Sequence, residues 1–287
     1  MKILYVTNLN YIQIAGGFAN DYLNDLLFYG LYETIGNDIV DSTRIDHMYV
    51  DSIAGYNRPL WGKGFSQTFL IDQDNIDRSD LENKIKNKFF DYVIYGACNK
   101  FLGGYDFISN IYDSNRIIMV DGDDKTVYSQ HLAAKHPYFK REIIETDTSL
   151  RPIHFAIPEE KIRPYNDNKD KLFATTIPGV SGYLFDKEEE YYYDYYRSTF
   201  GITMKKAGWD CMRHYEIMAN GCIPLFSNID NCPPLTMTNI DKALLKECLS
   251  VFANNSDSTT VAKHILEYTK EFLTTKKLAE YILESII

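Results

Sequence analysis

The sequence predicts an α/β protein of two halves, each built on a mainly parallel sheet, facing each other across a cleft. Three observations predict it. Near-continuous apolar runs such as "DYVIYGA" and "RIIMVDG" alternate with amphipathic stretches, the pattern of strands buried on both faces by helices. A segment rich in charge, Pro and Asn, "IPEEKIRPYNDNKDK", interrupts that pattern near the middle. The strand–loop–helix order then resumes. The expected organisation is a first half over 1–155, a hinge over 156–170 and a second half over 171–287. Two such halves joined by a polar hinge enclose a common kind of ligand site.

The elements follow in order. "KILYVT" is a strand, followed by the glycine-bearing loop "IAGGFAN" and the helix "DYLNDLLFYGLYETIG". "DIVDST" is a second strand, and "RSDLENKIKNKF" is an amphipathic helix feeding "DYVIYGA". "NRIIMVDGDD" is a buried strand ending in acids, and "RPIHFAIP" closes the half. Beyond the hinge, "LFATTIPG" is a strand, then a Gly/Ser loop and a tyrosine-rich helix, "EEEYYYDYYRSTF". "FGITMKK" is a short strand with a turn, "GWDCMRHYEIMANG" a helix and "CIPLFS" a buried strand. The tail from "TTVAKHILEY" to the end spaces its apolar residues by three and four, as a helix does.

Bulk properties bound the function. With 287 residues, 45% hydrophobic and 24% charged, a large core is within reach. A net charge of −10 disfavours broad contact with nucleic-acid phosphates, though a local basic cleft stays open. The start, "MKILYVTNLNYIQ", reads as a strand and not as a secretion signal, and no run of 18 apolar residues predicts a membrane span. Five cysteines without paired spacing (98, 211, 222, 232, 248) are expected as reduced thiols in a cytoplasmic protein.

The stretch at 208–226, "GWDCMRHYEIMANGCIPLF", carries the most chemistry. On a helix over 209–221, Trp209, Arg213, Glu216 and Asn220 fall on one stripe, opposite Cys211, Tyr215, Met218 and Cys222. Gly221 sits where a helix C-cap would. One reading is a solvated edge with an Arg213–Glu216 pair. The other is a cleft wall, where a carboxylate accepts both hydroxyls of a ribose and a guanidinium grips a diphosphate. The basic turn Lys205–Lys206 and Gly208 precede the helix, whose N-terminus attracts phosphate. His214 points off the Glu216 stripe and reads as structural.

Other constellations are weaker. Gly16 and Gly17 after the first strand, and Gly179 and Ser181 in "PGVSG", offer backbone N–H groups to a phosphate or form plain turns. Neither a dinucleotide fingerprint nor a P-loop is present. "VDGDD" spaces Asp121 and Asp123 for a divalent metal such as Mg²⁺ or Mn²⁺, or is an acidic turn. "HPYFKRE" brings Lys140, Arg141 and Glu142 either to the cleft or into a salt-linked connector. No hydrolase elbow or Ser/His/Asp pattern appears.

The block "GWDCMRHYEIMANGCIPLFSNID" resembles the donor-binding helix of B-type (two-Rossmann) glycosyltransferases, and "GKGFSQTFLID", "FFDYVIYGA", "VDGDD" and "YFKREI" resemble, more weakly, uncharacterised bacterial and viral glycosyltransferase-like proteins, over most of the chain. Glu216 matches the family's ribose-binding Glu, and Ala219, Gly221 and Pro224 match the motif that follows it. Many retaining members have a second Glu eight positions earlier, where this chain has Gly208. The resemblance implies transfer of a hexose or pentose from a nucleotide-diphosphate-sugar to a carbohydrate or other hydroxyl acceptor. It implies a ribose contact from Glu216, a phosphate or acceptor approach at Gly16 and Gly17, and no required cofactor, while the residues themselves add donor contacts from Arg213, Lys205, Lys206, Gly208, Gly179 and Ser181. His47, Asp46 and Asp21 are the base candidates in the first half. A metal-assisted transfer through Asp121 and Asp123, a viral DNA-base glycosyltransferase, and a non-catalytic nucleotide-sugar-binding protein are the alternatives.

Overall fold

The computed structural model describes residues 1–9, 13–14, 17–18, 20–52, 60–146, 148–180 and 184–287. A six-stranded, all-parallel sheet organises the first half. It comprises β1 (Ile3–Val6), β4 (Ile39–Asp41), β5 (Tyr92–Tyr95), β6 (Ile117–Asp121), β7 (Tyr138–Lys140) and β8 (Arg151–Pro152), in the order β4-β1-β5-β6-β7-β8. The chain runs outward from β1 to β4 and returns past β1 to β5, which creates a topological switch point at β1/β5. A two-residue ribbon, β2 (Gln13–Ile14) and β3 (Gly17–Phe18), lies between β1 and the first helix.

Helix α1 (Tyr22–Ile35) is capped by Asp21, whose carboxylate accepts the Leu23 and Asn24 N–H groups. Shorter helices α2 (Leu81–Lys86), α3 (Tyr105–Ser109) and α4 (Gln130–Lys135) link the later strands. β1, β5 and β6 are buried throughout, as apolar strands covered on both faces must be.

A three-stranded parallel sheet organises the second half: β9 (Lys171–Phe173), β10 (Ser198–Thr203) and β11 (Ile223–Phe226), in the order β11-β10-β9. The tyrosine-rich helix α5 (Glu188–Tyr196) joins β9 to β10, and α6 (Met212–Ala219) joins β10 to β11. α6 is shorter than the predicted 209–221. The chain is still extended at Cys211, and Gly221 turns it with φ +57°, a left-handed conformation that suits a glycine.

Helices α7 (Lys242–Ala253), α8 (Ser258–Phe272) and α9 (Thr275–Ile286) complete the chain. α7 has no counterpart in the sequence reading. The predicted single tail helix is two helices, because Thr274 caps a new start at Lys277 N–H. α9 packs against α1. There Gly30 lies so close to Thr275 that a Cβ would stand 2.0 Å from its carbonyl oxygen. One continuous apolar core runs from Ile3 to Leu283 through both sheets. All five cysteines are free, and no described helix is long and apolar enough to cross a membrane.

Candidate active site

A cavity of about 480 Å³ lies where the carboxyl ends of both sheets converge. The turns after β5, β6 and β7 bring Lys100, Gly122, Asp123, Asp124 and Arg141 to one wall, and the start of α1 adds Asn20, Asp21 and Tyr22. The opposite wall is Thr176 after β9, Lys206 to Gly208 after β10, and Arg213 and Glu216 of α6. Strand ends at a switch point are where open α/β folds bind ligands.

Glu216 lines this cavity yet is 5% exposed. Burial pushes its carboxyl above the ordinary range, while hydrogen bonds from Tyr191 and Ser66 and the charge of Arg213 pull it back. Ser66 Oγ donates to Oε1 at 2.8 Å and Tyr191 OH to Oε2 at 2.7 Å. Ser66 belongs to the first half. Its segment lies on the second half through Ser66 N–H to Glu188 Oε1 at 2.7 Å, Lys63 to Asp186 at 2.8 Å, and Phe65 stacked on Tyr191. No sequence signal singled Ser66 out, because nothing in the chain announces a partner 150 positions away.

Glu216 and Arg213 form no ion pair. The sequence pattern suggested one across i,i+3, but the Glu216 oxygens accept from the Ser66 and Tyr191 hydroxyls instead. Arg213 leaves the first turn of α6 for the cavity, and its buried Nε and Nη1 have no hydrogen-bond partner. An unpartnered guanidinium is costly, so its position on a cavity wall asks for an anion. The N-cap residue Cys211 supplies no side-chain hydrogen bond, which leaves the first N–H groups of α6 without that partner on the same wall.

The basic turn divides. Lys206 lines the cavity, whereas Lys205 lies 5.6 Å over the Trp209 ring, which stacks on Phe226. Trp209 therefore precedes the helix and leaves the stripe expected of it. Gly208 lines the cavity, and a Cβ there would stand 2.6 Å from Glu142 Oε1. His214 is fully buried, bonded to Thr203 Oγ1 and the Trp209 carbonyl, each at 2.8 Å. It is structural, as its position off the stripe indicated.

On the first-half wall, Asp21 accepts from Lys100 Nζ at 2.7 Å as well as capping α1. Burial raises its carboxyl, but Lys100 and the Asn24 N–H outweigh burial and hold it below the ordinary range. His47 and Asp46 lie elsewhere. His47 is paired with Asp25 at 2.8 Å beside a separate small cavity lined by Thr7, Leu9 and Ile45. Asp121 is 1% exposed, accepting from Tyr138 OH at 2.7 Å and Lys140 Nζ at 3.0 Å. Asp121 is absent from the cavity lining and is held at the end of its strand by the Lys140 cation and Tyr138, so it is not placed to share a metal with Asp123. Among the described residues no group of three or more His, Cys, Asp or Glu is placed to hold a metal ion.

"HPYFKRE" serves both of its expected roles. Lys140 is the connector to Asp121, while Arg141 lines the cavity, bonded to Asp124, Glu142 and the carbonyls of Gly122 and Asp210. Gly179 is exposed, with φ +78°, and is not part of the lining. Gly17 pairs with Ile14 in the small ribbon. Gly16 and Ser181 lie outside the described residues.

Two facing parallel-sheet lobes with a cavity at their strand ends are the B-type glycosyltransferase-like fold. HepE (Alr3699) of Anabaena, solved in complex with UDP and glucose, superposes with a TM-score of 0.54 at 8% identity, over 100% of this chain and 99% of that one. An alpha-glucosyltransferase solved with UDP-glucose and DNA containing an abasic site superposes with a TM-score of 0.46 at 11% identity, over 99% of this chain and 98% of that one. No family model and no curated protein sequence matches the chain. At such identities the likeness establishes the fold, and the chemistry is argued from the residues.

Proposed function

We propose that the protein is a glycosyltransferase that moves a sugar from a nucleotide-diphosphate-sugar to an acceptor hydroxyl. The observation that carries this reading is Arg213. Its guanidinium has two unpartnered buried nitrogens on a cavity wall shared with Lys206 and the start of α6. Such a wall suits a diphosphate, whose negative charge grows as the bond to the sugar breaks, and preorganised cations stabilise that growth. Glu216, one turn further along, is a carboxylate with lone pairs to spare beyond its two hydroxyl donors, and it suits the vicinal hydroxyls of a ribose. Gly208 lets the backbone close against Glu142 at the cavity edge. Of the three base candidates, Asp21 is the one that lines the cavity.

The UDP bound to the Anabaena protein makes UDP the first nucleotide to test. Calorimetry with UDP and a UDP-glucose turnover assay test the reading. Binding with release of UDP from UDP-glucose, both lost in Arg213→Ala, supports it. UDP binding with no turnover in the presence of any sugar acceptor makes the protein a nucleotide-sugar binder. Undiminished affinity in both Arg213→Ala and Glu216→Ala removes the site.

A further inference from the structure

We propose that Asn20 and Asp123 form the acceptor subsite, that it takes an uncharged, polyhydroxylated group such as a neutral sugar, and that Asp123 receives the proton of the attacking hydroxyl. The inference rests on the transferase reading above and deepens it.

Asn20 is 8% exposed, lines the cavity, and has neither its amide nitrogen nor its amide oxygen hydrogen-bonded. Burying a side-chain amide with no partner costs about 1–3 kcal/mol. Aimed into a cavity, it offers two donors and an acceptor to a ligand. Hydroxyl groups, which donate and accept at one atom, match that offer.

The charges on this wall narrow the ligand class. Lys100 is committed to Asp21 at 2.7 Å, and Arg141 is committed to Asp124 and Glu142. Asp123 is half-buried and lines the cavity. It has no ion pair among the described residues, and its carboxylate accepts one long bond, from Lys125 N–H at 3.3 Å. The two cations are each matched, and the charge left over is a carboxylate. An anionic acceptor would meet that carboxylate and pay for like-charge contact, whereas a hydroxyl would satisfy it.

The carboxylates on the cavity also divide by availability. Asp21 is tied to Lys100 and the cap of α1, and Asp124 is exposed and paired with Arg141. Asp210 is fully buried and accepts from Phe155 N–H and Tyr215 OH. Glu216 is on the donor wall. Asp123 is the carboxylate with room for an incoming O–H. In the transfer, the acceptor oxygen bonds to the anomeric carbon as the bond from that carbon to the phosphate oxygen breaks. The electron pair leaves with the nucleoside diphosphate, and the acceptor proton passes to Asp123 and then to solvent.

The test uses the full chain with UDP-glucose as donor and two matched acceptors, methyl glucoside and methyl glucuronide, with a single-stranded oligonucleotide as a third. The wild type is expected to favour the neutral glucoside over the glucuronide by about tenfold or more. Asp123→Asn is expected to lower kcat/KM for the glucoside about a hundredfold. Asn20→Ala is expected to raise the acceptor KM about tenfold. UDP affinity reports the other wall and is expected to change by less than about twofold in both. Preference for the glucuronide or the oligonucleotide overturns the inference. So does normal glucoside transfer in both variants, or loss of UDP binding in either. If the wild type binds no UDP, the transferase reading itself fails and takes this one with it. If the wild type binds UDP and transfers glucose, failure in the variants counts against the subsite alone.

Discussion

Ser66 Oγ reaches across 150 positions of chain to donate a hydrogen bond to Glu216 Oε1 at 2.8 Å. A loop of the first half thus holds the carboxylate on which donor recognition in the second half is proposed to depend. The same hydroxyl lies 2.5 Å from Tyr192 OH, so one small side chain serves two buried polar groups.

Removing that hydroxyl should be felt. Ser66→Ala leaves Glu216 and Tyr192 each short of a partner and is expected to lower unfolding free energy by about 1–3 kcal/mol. Ser66 has φ +71°, so Ser66→Gly loses the hydroxyl but relieves the backbone. Urea titration should rank wild type above Gly and Gly above Ala. Equal stability of all three would show that the contact carries no net weight.

Arg213 should behave differently. Two of its nitrogens make no hydrogen bond in the free protein, and its charge only helps to keep Glu216 ionised, so Arg213→Ala is expected to unfold at nearly the same urea concentration as wild type. UDP affinity should fall about 10–100-fold, the value of a charged hydrogen bond. Arg213→Lys restores the charge but not the planar fork, and calorimetry should place it nearer Ala than wild type.

The acidity of Glu216 gives a pH signature. Burial raises its carboxyl above 4.5, and its ionised form is the better acceptor for ribose hydroxyls. Uridine, which carries no phosphate to titrate, should bind more weakly as pH falls through a value above the ordinary carboxylate range. In Glu216→Gln that limb should be flat and the affinity lower throughout. An unchanged limb in the variant would assign the titration to another group.

His154 predicts a stability change at mild acidity. It is buried, donates Nδ1–H to the Phe155 carbonyl at 2.9 Å, and burial pushes its pKa from 6.5 to about 4. Between those values the unfolded chain binds the proton that the folded one refuses. Stability is therefore complete above pH 6.5 and is lost as pH falls toward 4, by about 3 kcal/mol for a shift of that size. His154→Phe should show a shallower decline over that window in urea titrations at stepped pH.

Local signals read well in this sequence. The apolar runs gave β1, β5 and β6 nearly to the residue, Gly221 marked the end of α6, and His214 was recognisable as structural because it faced away from Glu216. What could not be read depended on distant neighbours. The Arg213–Glu216 pair looked natural at i,i+3, but Ser66 and Tyr191 compete for the same oxygens from other elements. Asp121 and Asp123 share a spacing, yet Lys140 and Tyr138 bury the first and leave the second in the cavity. Asn20 carries no motif, and its importance comes from what fails to meet it. Helix α7 lies outside the expectations, although Leu244, Leu245, Cys248 and Val251 recur at helical spacing behind the Asp241 cap.

Helix α9 is bolted to α1 and to strands of the first sheet. Tyr281 OH bonds the Pro152 carbonyl at 2.7 Å, Arg151 the Ser285 carbonyl at 2.6 Å, and Tyr92 OH the Ile286 carbonyl at 2.8 Å. During synthesis, the first sheet would emerge from the ribosome long before the helix that covers its flank. A nascent chain would then hold an uncovered apolar surface on α1 until residues 275–286 had emerged, and a stop before Thr275 would leave that surface open.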